Sequence, residues 1–472
     1  MSKNYTVFEA LDLLYTPPFH IDQRETSIMR NAITQEMLNS FDSSAASDAQ
    51  VRLAAHALSK TSINDAAFVA SSANTLRHKF SLEIPTMPVT NQKSSGRCWL
   101  FAATNVLREL IARKNNIGQF ELSQSYLAFW DKFERCNYFL TSILDTADLP
   151  TDDRTVSFIL STGVHDGGQW DMFANIVRKY GIVPKDAFDE TFQSENTKQM
   201  NYILNRYLKR CAARLRSLHS VQAGNEAINS SLNEMLGRIY SFLCRCYGIP
   251  PRDFNFEYVD TKKAYHMEEN LTPHTFAERY GVFALLDETV SIIHAPTKDK
   301  PYEKTYTIRF LGNVVGGKAV KHLNLTLDCF KDAIVAQLQD GKPVWFGSDV
   351  SHFGDRNLGI WDDQSFDYEL LTGLALDMSK EDALNYGLSA MNHAMLLTGV
   401  QMENGKPVRW RIENSWGDEH GNKGYYICSD SWFDQYVYQA AVARCYLGDK
   451  AALADIPAVE LDPWDPMGTL AH

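Results

Sequence analysis

Apolar residues after Cys98 recur at Leu100, Phe101, Val106, Leu107, Leu110 and Ile111. Those spacings trace one face of a helix, and Arg113 and Lys114 stand where a helix C-terminus favours cations. The preceding "NQKSSGR" is polar and glycine-bearing, so Cys98 falls where a loop turns into a helix. Residues 195–245 hold a second long helical region, "NYILNRYLKRCAARLRSLHS" followed by "NEAINSSLNEMLGRIYSFLCRCY". After it the period changes. "KTYTIRFLGNV", "GKPVWFGSDV", "HAMLLTGVQ" and "VRWRIENSW" are β-rich runs punctuated by Gly and Pro. Residues 1–60 carry short helical pieces such as "ITQEMLNSF", broken by "TPPF" and "DSSAASDA", and read as an arm or hook. A helix-rich first half and a strand-rich second half predict an α+β protein of two lobes with a helical insertion.

The chain's 472 residues exceed what one ordinary core organises, in keeping with two or more lobes. Hydrophobic residues at 44% and charged residues at 22% exclude a disordered or fibrous chain. A net charge of −12 argues against nucleic acid as a partner, because holding phosphates needs a local excess of Lys and Arg. The opening "MSKNYTVFEALDLLYTPPFH" lacks the layout of a secretion signal, and no apolar run nears the roughly 20 residues that cross a bilayer. The eight cysteines are sparse, and Cys244-x-Cys246 has no second pair at zinc-like spacing. The expectation is a cytoplasmic protein with reduced thiols, no metal and no cofactor. "GNVVGGKA", residues 312–319, matches the start of a phosphate loop, but Ala319 replaces the Ser or Thr that would bind magnesium; a tight turn is expected there.

A thiol is a strong nucleophile only as the thiolate, and at its free pKa of about 8.5 only a few per cent is ionised at neutral pH. Unpaired N–H groups in the first helical turn favour the anion. Cys98 is therefore placed for activation once a histidine approaches. "MNHAMLLTGV" sets His393 ahead of a β-like run, and "RWRIENSWGDEHGNKGYY" sets Asn414 at the end of another, followed by Trp416. A side-chain amide oxygen on one ring nitrogen holds an imidazole in orientation to take the thiol proton, and a nearby indole keeps water from that bond. Alone, each residue reads as ordinary: a buried cysteine, a core histidine, a turn asparagine. Together, in the order Cys, His, Asn, they point to a thiol hydrolase.

Gln92, six positions before the cysteine, with "GRCWLFAA", "NHAMLLTGV" and "ENSWG", resembles the papain-like cysteine proteases. "VTNQKSSGRCWLFAATNVLR", "VWFGSDV" and the "DPWDPMG" tail are similar to the bleomycin hydrolase/aminopeptidase C subgroup, from roughly residue 31 to the end. The resemblance implies a papain-like two-lobed fold, a helical lobe plus a β-barrel-like lobe, with a helical insertion and N- and C-terminal arms. Its parts would be an extension and hook over 1–60, a helical lobe with the nucleophile over 61–190, an inserted helical subdomain over 191–340, a β-rich lobe with His and Asn over 341–450, and an arm over 451–472. It implies Cys98 as nucleophile, His393 as general base and acid, Asn414 as the orienting residue, Trp416 in support and the Gln92 amide as an oxyanion donor. Gly167 and Gly168, in "HDGGQW", would let a substrate backbone form strand-like bonds; otherwise they are a simple turn.

Two departures carry information. Ser95 and His165 stand where secreted papain relatives have a disulfide, in accord with a reducing compartment. His393 follows Cys98 by roughly 300 residues, about twice the 130–150 of compact papain-like enzymes, which leaves room for the insertion. Residues 1–30 extend beyond the subgroup.

In the subgroup the C-terminal arm lies in the cleft, and its carboxylate receives the substrate's free α-amino group. The enzymes are homohexamers with active sites facing a central channel. The resemblance thus implies a homohexameric cysteine aminopeptidase of broad specificity acting on peptides with a free N-terminus. Alternatives are an endopeptidase, a dedicated amide or thiolactone hydrolase, and a non-catalytic ring that binds peptides or nucleic acid. Family tails end near "LA", so His472 is one residue extra: either the enzyme trims it to expose the Ala471 carboxylate, or His472 itself is the anchor.

Overall fold

The computed structural model describes residues 32–471. The chain divides into two units, 1–66 and 67–472. In the first, α1 (Gln35–Ser47) and α2 (Ala49–Leu58) begin at the side chains of Thr34 and Asp48, which accept from the N–H groups of Met37 and Gln50. These caps satisfy donors that a helix start leaves without partners. No residue of either helix is buried. The expected helical piece "ITQEMLNSF" thus lies in α1, while the stretch 1–30 singled out from the sequence lies outside the described residues.

The second unit is built on two hydrophobic cores. One gathers α3 (Cys98–Asn115), α4 (Gln124–Asp145), α5 (Trp170–Tyr180), α6 (Lys198–Ser220) and α7 (Asn225–Tyr247). Met200, Leu204, Leu208, Cys211 and Leu215 on α6, and Met235, Ile239, Leu243 and Tyr247 on α7, form stripes three or four residues apart. That spacing keeps one helical face inward, and both stripes join the same core as α3 and α4. The other core lies between α8 (Leu327–Gln339) and a sheet containing β1 (Thr289–Ile293), β2 (Val344–Ser348), β3 (His393–Glu403), β4 (Lys406–Glu413), β5 (Tyr425–Ser429) and β6 (Val437–Ala443).

These strands are antiparallel neighbours in the order β1-β6-β2-β3-β4-β5, within a mixed sheet of twelve strands among the described residues. β2 and β3 are buried over almost their whole length, so they read as continuous apolar runs instead of alternating ones. The phosphate-loop look-alike is a turn, closed by Gly317 N–H to Val314 O at 3.0 Å.

Candidate active site

Cys98 is the first residue of α3, and its sulfur is fully buried. The sulfur accepts the Ala394 N–H at 3.5 Å, which seats it against the start of β3, where His393 is the first residue. Burial pushes the Cys98 thiol up to about 12; the N–H groups of Ala394, Trp99 and Cys98 itself pull the other way and lose. The helix start therefore does not ionise the thiol by itself. A proton acceptor at the sulfur is required.

β3 and β4 are antiparallel, with Leu396 opposite Glu413, so His393 at the start of one meets Asn414 just past the end of the other. His393 Nε2 lies 2.9 Å from Asn414 Oδ1. The same oxygen accepts the Ser415 N–H at 2.8 Å, and an amide atom that accepts a backbone N–H is the oxygen. Nε2 therefore carries the hydrogen and donates it, which leaves Nδ1 as the basic nitrogen. The Trp416 ring lies 4.8 Å from the imidazole, and the Asn414 side chain is buried. Water is kept from the His–Asn bond on that side.

Gln92 is fixed by the same turn. Its N–H donates to Ser415 O at 2.8 Å, its Oε1 accepts from Ser415 Oγ at 2.6 Å, and its Nε2 donates to Ser95 O at 2.7 Å. An amide nitrogen carries two hydrogens, so a second donor remains.

The glycine pair is held from two sides. Arg135 donates to Gly167 O, and Gly168 N–H donates to Ala471 O at 3.0 Å in an antiparallel bridge. A Cβ at Gly168 would sit 2.4 Å from the Trp99 ring. The glycine is needed there because α3 presses an indole against the strand. The arm is tied down further back, where Gln169 Nε2 donates to Met467 O at 3.1 Å and Thr469 O at 2.7 Å. Ala471 is fully buried; His472 lies outside the described residues. An apolar cavity of about 490 Å³ runs beside the arm between Phe158, Met172, Phe310, Met391, Trp464 and Leu470.

Sequence reading missed the supports of this site. Asp166 accepts from Gly96 N–H at 3.0 Å, Lys132 Nζ at 2.5 Å, Asn201 Nδ2 at 2.9 Å and Thr197 Oγ1. These bonds hold its carboxyl far below the usual carboxylate range against the cost of burial. Asp166 neighbours His165, and Gly96 neighbours Ser95, so hydrogen bonds join the segments that a disulfide joins in the secreted relatives. Its place beside the glycine pair in "HDGGQW" was the available signal; Lys132, on α4, carries none.

Polar residues of α3 also point inward. Asn105 Nδ2 and Arg108 Nη2 both reach Glu413 Oε1, at 2.8 and 3.0 Å, and so lock the nucleophile's helix to the residue before Asn414. Removing one member of a buried pair typically costs about 3–5 kcal/mol. Arg108→Met is expected to destabilise the fold by about that amount in denaturant unfolding.

A helical lobe meeting a sheet lobe, with a thiol at the first turn of one helix and a His–Asn pair on facing strands, defines a papain-like fold. Residues 32–468 match the Peptidase C1-like family. Aminopeptidase C of Lactobacillus delbrueckii subsp. lactis is 44% identical over 94% of this chain and 99% of its own length. Human bleomycin hydrolase is 39% identical over 90% of this chain and 96% of its own. The crystal structure of PepW from Lactobacillus rhamnosis superposes with a TM-score of 0.92 at 45% identity, covering 94% of this chain and all of that one. The chain belongs to the Peptidase C1-like family.

Proposed function

We infer that the residues gathered here carry out N-terminal peptide hydrolysis. The protein is a cysteine-type aminopeptidase, in line with relatives named Aminopeptidase C and bleomycin hydrolase. The observation that carries the assignment of roles is the His393–Asn414 bond at 2.9 Å beside a sulfur held by Ala394 N–H. His393 Nδ1 takes the Cys98 proton, and the thiolate attacks the carbonyl carbon. The tetrahedral oxyanion is met by the Cys98 N–H and the free Gln92 amide hydrogen. His393 then gives its proton to the departing amine and leaves a thioester. Water attacks the thioester and His393 takes the water's proton; the carbon–sulfur bond then breaks, the acid leaves, and the Cys98 sulfur recovers its proton from His393. Gln92→Ala is expected to lower kcat about 10²–10³-fold, as loss of one oxyanion donor does, in steady-state kinetics on an aminoacyl amide.

The arm supports an exopeptidase over an endopeptidase. Ala471 takes the Gly168 N–H that an extended substrate would use, so the arm stands where a longer chain would continue along the cleft. The chain's last carboxylate, on Ala471 after trimming or on His472, would bind the substrate's α-ammonium. The reading includes the division at 60, 190, 340 and 450, and a homohexamer in the cytoplasm. It is supported by the shared motifs and by eight unpaired cysteines. No helix among the described residues is long and apolar enough to cross a membrane.

The deciding assay compares peptides with free and acetylated N-termini, with and without iodoacetamide. Free peptides are expected to lose single residues stepwise, acetylated ones to resist, and iodoacetamide to stop the reaction. Internal cleavage of the acetylated series at comparable rates would favour the endopeptidase reading.

A further inference from the structure

The leaving-group side of the site holds a cation that the hydrolysis does not use. Arg356 directly follows the short strand Gly354–Asp355, and its guanidinium carbon lies 5.1 Å from the centroid of the Trp416 ring. That same ring is 4.8 Å from the imidazole of His393, the group that hands a proton to the departing amine. The backbone beside it is held too, since the Tyr426 hydroxyl donates to Arg356 O at 3.3 Å. Arg356 is therefore exposed yet positioned.

No carboxylate engages this cation among the described residues. The adjacent Asp355 uses one of its two oxygens, Oδ1, on the N–H groups of Asn357 and Leu358, at 2.8 and 2.9 Å. Asp418 and Glu419, just beyond Trp416, are exposed and bear the opposite sign. On a chain of net charge −12, a guanidinium stacked on an indole next to the catalytic imidazole, and in no salt bridge among the described residues, is suited to bind an anion.

We propose that Arg356 binds the free carboxylate of the leaving fragment, so that short peptides, above all di- and tripeptides, are the favoured substrate class; this rests on the aminopeptidase reading. A residue extends at most about 3.3–3.6 Å along the chain. The terminal carboxylate of a one- or two-residue leaving fragment then falls on the Trp416 side at the reach of Arg356, whereas a long polypeptide has no chain-terminal carboxylate there. The arm sets the one-residue limit on one side of the cut, and Arg356 reads how soon the chain ends on the other.

The test uses the full-length wild type and Arg356→Gln on a dipeptide, the same dipeptide with a C-terminal amide, and the corresponding aminoacyl coumarylamide. The wild type is expected to favour the acid over the amide about tenfold in kcat/KM, mostly through KM, and to lose the preference in high salt. In Arg356→Gln the acid-to-amide ratio should fall to about one, and in Arg356→Lys part of it should return. Because the readout is a ratio within each variant, a general loss of activity does not imitate it. Equal rates on acid and amide in the wild type, a preference for the amide imposed by Asp418 and Glu419, or an unchanged ratio in Arg356→Gln each overturn the proposal. A wild type inactive on all three substrates overturns the aminopeptidase reading instead.

Discussion

Cys98→Ala is expected to lower peptide hydrolysis by at least about 10⁴-fold, with the protein still folded by circular dichroism. No other side chain in the site can form the acyl intermediate, because His393 is committed to Asn414 and Gln92 to Ser95 and Ser415. A variant keeping more than about one per cent of the wild-type rate would show that another group attacks the substrate. The thiol's environment sharpens the test. Burial pushes Cys98 up to about 12, so in the proposed mechanism the thiolate forms at neutral pH only when His393 takes the proton. In His393→Ala, alkylation of Cys98 by iodoacetamide should be slow at pH 7 and accelerate steadily as the pH rises toward the thiol's own raised value. An alkylation rate at pH 7 equal to that of the wild type would separate the imidazole from the sulfur's ionisation.

Removing Thr469–His472 should turn an exopeptidase into an endopeptidase. The truncation frees the Gly168 N–H and one Gln169 bond, and it takes away the carboxylate proposed to meet the substrate's ammonium. A charge-assisted hydrogen bond is worth about 1.5–3 kcal/mol, so the preference for a free over an acetylated N-terminus should fall about 10–100-fold. Cleavage at internal bonds should appear in the same digests, read by mass spectrometry. Opening the cleft also rehydrates the sulfur. Desolvation raises the thiol's pKa, so water entering should lower it and speed alkylation at pH 7. Intact mass of the active, untruncated enzyme distinguishes the two anchors, since a chain still ending in His472 rules out trimming. Unchanged discrimination after truncation would mean that the arm does not hold the ammonium.

The site's motifs were readable because each role constrains its neighbours in the chain. A thiol at a helix start needs a loop before it and an apolar helix after it. A His on one strand and an Asn past the end of the next need two β runs, and "NHAMLLTGV" and "RWRIENSW" are those runs. The helical stripes of α6 and α7 were legible for a similar reason, since burial of one face repeats every three or four residues.

Other features left no such local mark. The apolar spacing along α3 predicted one buried face, yet Asn105, Arg108 and Glu109 are buried as well. The acceptor shared by Asn105 and Arg108, Glu413, is some 300 residues away, so nothing near α3 announces the pairing. Lys132 reads as an exposed helix charge until Asp166 is folded against it. "HDGGQW" marked a glycine requirement but not its cause, which is the Trp99 ring beneath Gly168.

From the residues alone come the candidate reacting groups, their order along the chain and the two-lobed class of fold, and the resemblance adds the tail that sets this group apart. The tertiary structure decided how tightly the thiol holds its proton, where the arm is bridged and which cation stacks on the Trp416 ring. Reacting groups are a property of single side chains. Proton affinity and access are sums over everything packed around them, and those neighbours come from segments hundreds of residues apart.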